Sequence, residues 1–528
     1  MDFNKLKLLF HTLKFLRTKQ IYYRLFYLVR SKFFSKKNQK GFENEVKGLA
    51  WNGKEIYFQN TFFEAKKFEF LNLQYDFTNV IDWNHDGFGK LWTYNLNYFD
   101  FLNQESISVE QGLFLMRDYI SKEKELKDGL EPYPISLRGI NWIKFLSKNG
   151  IEDEQLDKAL FNHYQILLDN LEYHLLGNHL LENGFSLLFG AYYFQDEKLY
   201  KRAKKVLENE LHEQVMDDGA HFELSLMYHQ ILLYRLLDCI NLSQSNPWKS
   251  DGLLLLLREN ATKMLSWLET ATYSNGNIPM VNDSAYGIAP SSVSLFSYAR
   301  SLGLKWQKGK LSSSGYRKFE KLGFEVFMDV GNIGPDYQPG HAHSDTFNFE
   351  LHVDQRPVLV DTGTSTYEKN ELRQKERETA AHNTVKIGNR EQTQVWGGFR
   401  VGKRAKVVEL EEGDSYIKAS HNGYYPTLHE REFRIEDSGF KIIDSIKNQK
   451  ECAVAHFHFH PSISNIEQEE DSVILQTEGI VIFFKGEGIK VSNQSCHIAE
   501  GFNIRRSAIK IEVSFNQTLE TTIRKVNR

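Results

Sequence analysis

Cysteine is scarce in this chain of 528 residues. The three present, Cys239, Cys452 and Cys496, stand in unrelated contexts with no CxxC spacing, which excludes a disulfide framework and a thiolate metal centre. Charge of one sign is missing too. With 65 Lys and Arg against 69 Asp and Glu, the net charge is −4, which gives no electrostatic footprint for nucleic acid. Long uncharged runs are also lacking. The N-terminal MDFNKLKLLFHTLKFLRTKQIYYRLFYLVRSKFFSKK is apolar but broken by basic residues, and its uncharged runs are too short to span a bilayer. It lacks the continuous apolar core and small-residue cleavage site of a signal peptide. That favours the cytoplasm and leaves the periplasm open. Two readings of the segment stand: a helix in peripheral contact with an anionic membrane surface, or an amphipathic helix packed on its own domain.

What is present is the composition of an ordinary globular protein, 41% hydrophobic and 25% charged. The length calls for two or three domains. From about residue 105 to 311 the pattern is helical. Stretches such as LDKALFNHYQILLDNLEYHLL and EKLYKRAKKVLENELHEQV repeat apolar residues at three and four spacing, and short Gly, Asn and Asp breaks between them predict helical hairpins. From 312 to 528 the period becomes two, in FEVFMDVG, TFNFELHVD, AVAHFHFH and IKIEVSFN among others, which predicts an antiparallel sandwich. The change falls in the polar stretch 308–318. Residues 1–104 form a basic, aromatic-rich segment packed on the helical part. Within it WNHDGFGKLWTYNLNYFDFL, residues 83–102, reads as cleft wall more than core.

Three clusters can carry chemistry. In GNHLLENG, Asn178, His179 and Glu182 share one helical turn; the alternative is capping and a buried hydrogen bond. In DDGAHFELSLMYHQ, Tyr228 stands in an apolar helical row, where a tyrosine is either core or a proton-transfer group. In GHAHSD, His341 and His343 are two apart and, on a strand, would share one face. His343, Asp361 and His382 carry donor types that suit zinc, and a solvated polar surface is the competing reading. His456, His458 and His460 on one strand read as structural or cleft-lining.

Taken in order, the motifs NHLLENG, DGAHFELSLMYH, NDSAYG, GHAHSDTFNFEL, VLVDTGTSTY and AAHNTV resemble those of the heparinase II/III-like polysaccharide lyases, a bacterial group that includes alginate and oligoalginate lyases. The resemblance implies an α+β multidomain fold, an incomplete α/α toroid followed by an antiparallel β-sandwich. It implies catalytic roles for Tyr228, His341, Asn178 and His179, and substrate contacts from Glu182, Tyr367, Arg138, Trp142 and Asp283. It also implies one structural zinc ion held by His343, Asp361 and His382, and an acidic polysaccharide as partner.

The reaction so implied is β-elimination of a uronic-acid polymer. It removes the proton at C5 and expels the oxygen at C4, and neutralising the carboxylate is the largest requirement. Asn178 and His179 would supply this, with Glu182 biasing the imidazole. Tyr228 or His341 would be the base, a tyrosine in that role needing a pKa depressed by cationic histidines. The basic N-terminus points to bacterial surface-polysaccharide metabolism. Two other classes stay open. A glycoside hydrolase would need two flanking carboxylates from among Glu182, Glu223 and Asp283. A non-catalytic acidic-glycan binding or assembly protein would keep the cleft without turnover.

Overall fold

The computed structural model describes residues 3–33, 46–54 and 56–526. Two helices open the chain, α1 (Phe3–Leu13) and α2 (Thr18–Phe33). The helical half then runs through α3 (Lys90–Tyr98), α4 (Val109–Ser121), α5 (Pro132–Lys148), α6 (Glu154–Asp169), α7 (Gly177–Phe194), α8 (Glu197–Gln214), α9 (Leu226–Ser245), α10 (Leu253–Ala271) and α11 (Ser292–Ser301). The odd-numbered helices from α3 to α11 pack one on the next, while α6, α8 and α10 lie behind their inner neighbours. This is the incomplete toroid. Sequence period explains the two rows. α8 buries Leu199, Ala203, Val206, Leu207 and Leu211 on one stripe, whereas α7 is buried along its whole circumference. Asp153 and Asp196 cap α6 and α8 by accepting from their first free amides.

The aromatic segment 83–102 divides between two fates. Trp83, Trp92, Phe99 and Phe101 are fully buried, packed with Phe68 and Phe70 of a small antiparallel sheet over residues 62–76. Only Leu91, Tyr94, Asn95, Tyr98 and Asp100 reach the cleft. The expectation of a cleft wall holds for that second set alone. The first set seals the toroid.

Beyond α11 the chain turns to strands, the first being Tyr316–Lys321. A four-stranded antiparallel sheet, Tyr316–Lys321, Phe324–Asp329, Phe349–Val353 and Arg356–Leu359, faces a ten-stranded one whose last two strands, Ile480–Gly501 and Ile504–Lys525, form a long hairpin. Phe349 of the small sheet packs on Phe433, Phe440 and Phe457 of the large one, so one core fills the space between the sheets. The small sheet is locked to the helical half. Glu350 accepts from Tyr273 Oη and from Met280 N, each at 3.0 Å. Asp218 accepts from the amides of Ser312 and Ser314 in the connecting stretch. These bonds fix the relative position of the two halves.

Candidate active site

The halves meet along a cleft of about 1110 Å³. Its walls come from α1 and α2 at one end, from α3, α7 and α9 along the helical side, and from sheet-domain loops carrying His341, Tyr367, Phe399 and Phe502.

The start of α9 delivers Tyr228. Leu224 takes a left-handed φ of 57° and the chain turns into the helix. Ser225 Oγ then accepts from Tyr228 N at 3.3 Å and donates to Asp283 O at 2.7 Å. The Tyr228 ring lies against His341, centroids 4.0 Å apart. Tyr367 Oη donates to Tyr228 Oη over a long 3.4 Å, which leaves the Tyr228 proton free to point elsewhere. Burial, with Asp283 and Glu223 nearby, pushes the phenol above its ordinary pKa. The expected depression by cationic histidines is therefore corrected: dry surroundings and carboxylates oppose ionisation, and Tyr228 is a neutral phenol.

His341 and His343 are not on a strand, as their spacing predicts, but in a loop ahead of Phe349–Val353. One carboxylate aims both rings. Asp283 Oδ2 is 2.9 Å from His341 Nδ1, and Oδ1 is 2.9 Å from His343 Nε2. Arg373, on the short helix α12 (Glu371–Glu376), grips the same carboxylate with both terminal nitrogens at 2.5 and 2.7 Å. Arg377 Nη2 donates to Ala342 O at 2.8 Å and pins the chain between the histidines. Burial alone would raise Asp283, but the Arg373 guanidinium and the imidazole bonds hold it well below the carboxylate range.

On the helical side the chain enters α7 through Gly177 at φ 59°. A Cβ there would come within 2.4 Å of Glu223 Oε1. Glycine thus lets Glu223 accept from both Asn178 N and Nδ2, each at 2.8 Å. Asn178 Nδ2 and Glu223 Oε2 face His341 Nε2 at 3.5 and 3.4 Å. His179 lines the cleft beside Tyr133, with Nδ1 3.0 Å from Glu172 Oε1. Burial would discharge this ring, but Glu172, Glu223 and Glu182 outweigh it and raise its pKa. A neutral phenol, an oriented imidazole, a carboxamide and a histidine biased toward its cation share one groove.

Family comparison agrees with this arrangement. Residues 135–300 match the heparinase II/III N-terminus and residues 305–525 the heparinase II/III-like C-terminal domain. The chain belongs to the heparinase II/III-like family. A heparin-sulfate lyase of Bacteroides stercoris is 22% identical over 394 residues, covering 69% of this chain and 56% of that one. The chain therefore spans little more than half of that relative's length. In fold it is similar to a crystal structure of heparinase III (TM-score 0.66, 16% identity, 97% of this chain and 92% of that chain). It is also similar to heparan sulfate lyase HepC from Pedobacter heparinus (TM-score 0.56, 17% identity, 96% and 88%).

The expected substrate contacts of this family member divide. Tyr367 lines the cleft. Arg138 and Trp142 do not: both are fully buried in α5, with Arg138 Nη1 donating to Gly129 O at 2.9 Å and Trp142 packed on Phe99. Asp283 and Glu182 are also buried, one behind His341 and the other 3.8 Å from Arg235 Nε. They act through the residues they touch. Arg373, Arg235, Glu172 and Tyr133 shape the site without having been singled out in the sequence. The nearest signal was composition: a charge run for Arg373, and apolar helix for Arg235. His456 and His458 are buried in Ala453–His458, away from the cleft lining.

The residues expected to hold zinc lie together, though not as a closed set. His382 Nδ1 is bonded to Asp361 Oδ2 at 2.7 Å, and His343 is turned to Asp283. Among the described residues no three His, Cys, Asp or Glu side chains converge as a metal cluster. Still, the His343 and His382 rings are 5.3 Å apart, and His343 Nδ1, His382 Nε2 and Asp345 Oδ2 are buried without hydrogen-bond partners. Two imidazole nitrogens and a carboxylate oxygen are donors that zinc takes, and Asp361 stands where a carboxylate orients a ligating histidine. The donor chemistry fits.

Glu182 makes a pH prediction. Burial, opposed by Arg235 and reinforced by Asp100, pushes its carboxyl up to about 7. The folded state thus prefers the protonated acid. Its contribution is complete below the unfolded value near 4.5 and is lost as pH rises through about 7, worth ~3 kcal/mol in all. Glu182→Gln should gain on wild type by that order between pH 5 and 8 in urea unfolding. A stability difference that stays constant over this range would contradict the assignment.

Proposed function

We propose that this protein is a polysaccharide lyase that cleaves a uronic-acid-containing polysaccharide by β-elimination. The observation that carries the reading is the approach of Tyr228 and His341 from opposite halves onto one cleft, with Asn178 and His179 on the facing wall. The relative named as a heparin-sulfate lyase supports the same direction.

The residues divide the work as follows. Asn178 and the cation-biased His179 hydrogen-bond the uronate carboxylate and take up the charge that develops on it. With Nδ1–H on Asp283, His341 offers Nε2 as the base that takes the C5 proton. The C–H electrons form the C4–C5 double bond, the C4–O4 bond breaks, and neutral Tyr228 gives its proton to O4. The same reading would hold one zinc ion by His343 and His382, with Asp345 supplying a carboxylate oxygen and Asp361, expected as a ligand, orienting His382 instead; the buried unpartnered atoms of the first three support it.

Heparan sulfate, hyaluronan, alginate and bacterial capsule preparations would be screened for the ultraviolet absorbance of unsaturated uronate. Reducing ends without that absorbance would overturn the reading in favour of a hydrolase. Tight binding without turnover on any of them would favour an assembly protein. For the metal, elemental analysis should return about one zinc per chain, lost in His382→Ala, with chelation lowering Tm. Metal-free protein whose Tm ignores both zinc and chelator would remove the ion from the account.

A further inference from the structure

The second N-terminal helix is turned inside out relative to an ordinary surface helix. α2 faces the toroid with its polar and aromatic side. Gln20 Nε2 donates to Leu175 O at 3.2 Å, Arg24 Nε donates to His174 O at 3.3 Å, and Tyr23 stacks on Tyr173 at 4.7 Å. Its apolar side points outward, with Tyr22 and Leu25 each 59% exposed and Val29 52% exposed. In α1, Thr12 Oγ1 donates to Val401 O at 2.9 Å, while Phe10 is 66% exposed.

The concentration is unusual. Of the 25 exposed large hydrophobic residues among the described ones, nine fall between Leu6 and Val29, which is more than scattered surface apolarity supplies. Charge follows the same segment. Residues 3–33 hold eight Lys and Arg and no Asp or Glu, in a chain whose net charge is −4. No helix among the described residues is long and apolar enough to cross a membrane.

We infer that α1 and α2 dock the protein on an anionic lipid surface, their exposed apolar side chains entering the headgroup boundary and the exposed Lys5, Lys7 and Lys14 meeting the lipid charge. The two features together select the partner. A second copy of this face would set the exposed Lys5, Lys7 and Lys14 against their own like charges, and an acidic polysaccharide would take the charge but leave the apolar face wet. An anionic bilayer takes both. The same helices and the turn between them supply Leu9, Arg24 and Leu16 to the cleft, so docking would hold one end of the cleft beside the lipid. The inference does not depend on the lyase reading.

The test is sedimentation of the full-length protein with vesicles of phosphatidylcholine, alone or mixed with phosphatidylglycerol. Binding is expected to the mixed vesicles only and to weaken with salt. Leu25→Ser/Val29→Ser, both outside the cleft lining, should weaken it about tenfold or more. Lys5→Gln/Lys7→Gln should weaken it less and flatten the salt dependence. Turnover of soluble polysaccharide by either variant should match wild type. Three outcomes overturn the inference: no binding to mixed vesicles, binding that ignores Leu25→Ser/Val29→Ser and is displaced by soluble acidic polysaccharide, or a solution dimer that this variant abolishes.

Discussion

Tyr228→Phe is expected to lower kcat on the cleaved polysaccharide by about 10²–10⁴-fold, the usual worth of a positioned general acid. KM and Tm should stay close to wild type. Phenylalanine keeps the ring that packs on His341 at 4.0 Å and removes only the hydroxyl. That hydroxyl is a neutral donor because burial holds its pKa up, so the loss falls on protonation of the leaving oxygen rather than on binding. Residual activity has an obvious source: Tyr367 Oη lies 3.4 Å from the missing group and faces the same cleft. The double variant with Tyr367→Phe should therefore fall below the single one. Initial rates of unsaturated-product formation, with Tm as the folding control, decide the matter. A Tyr228→Phe enzyme that retains a large part of wild-type kcat would remove the phenol from the chemistry.

The sequence made the two halves legible because burial imposes a period. The three-and-four spacing of α8 and the alternation of Phe324–Asp329 need no tertiary knowledge to read. The long hairpin of Ile480–Gly501 and Ile504–Lys525 was visible only in its apolar parts, IVIFFKG and IKIEVSFN. The part of the first strand nearest the turn, KVSNQSCHIAE, is largely solvent-facing, and its buried Ile498 and Ala499 are too few to mark a face. At the site, motif residues such as Tyr228, His341, Asn178 and His179 could be named from their sequence neighbourhoods. Arg373 could not. In ELRQKERET it reads as one charge of a solvated helix, and its complete burial follows only from Asp283, 90 residues away. Arg138 and Trp142 failed in the opposite sense: the resemblance implied sugar contacts for both, and α5 turns both inward. The HAH spacing misled in geometry yet not in grouping: both rings converge through the two oxygens of one carboxylate rather than through a shared strand face.

That carboxylate carries the second large effect. Asp283→Ala should destabilise the protein by about 3–5 kcal/mol, because it strands the Arg373 guanidinium in a dry site without the carboxylate it is bonded to. Arg373 then keeps the Tyr367 and Phe399 rings at 5.0 and 5.3 Å, the Gly398 carbonyl and, nearby but not bonded to it, the Glu376 carboxylate. Activity should fall as well, since His341 loses the acceptor that fixes its Nδ1–H and aims Nε2. The two losses can be separated. Replacing both partners, in Asp283→Ala/Arg373→Met, removes the orphaned charge and should recover part of the stability in urea unfolding, as paired removal of buried ions does. It should not recover kcat, because nothing then orients the imidazole. If the double variant regains turnover together with stability, Asp283 is only a structural counter-ion and the histidine is aimed by something else. If the single variant is as stable as wild type, the buried cluster itself is misassigned.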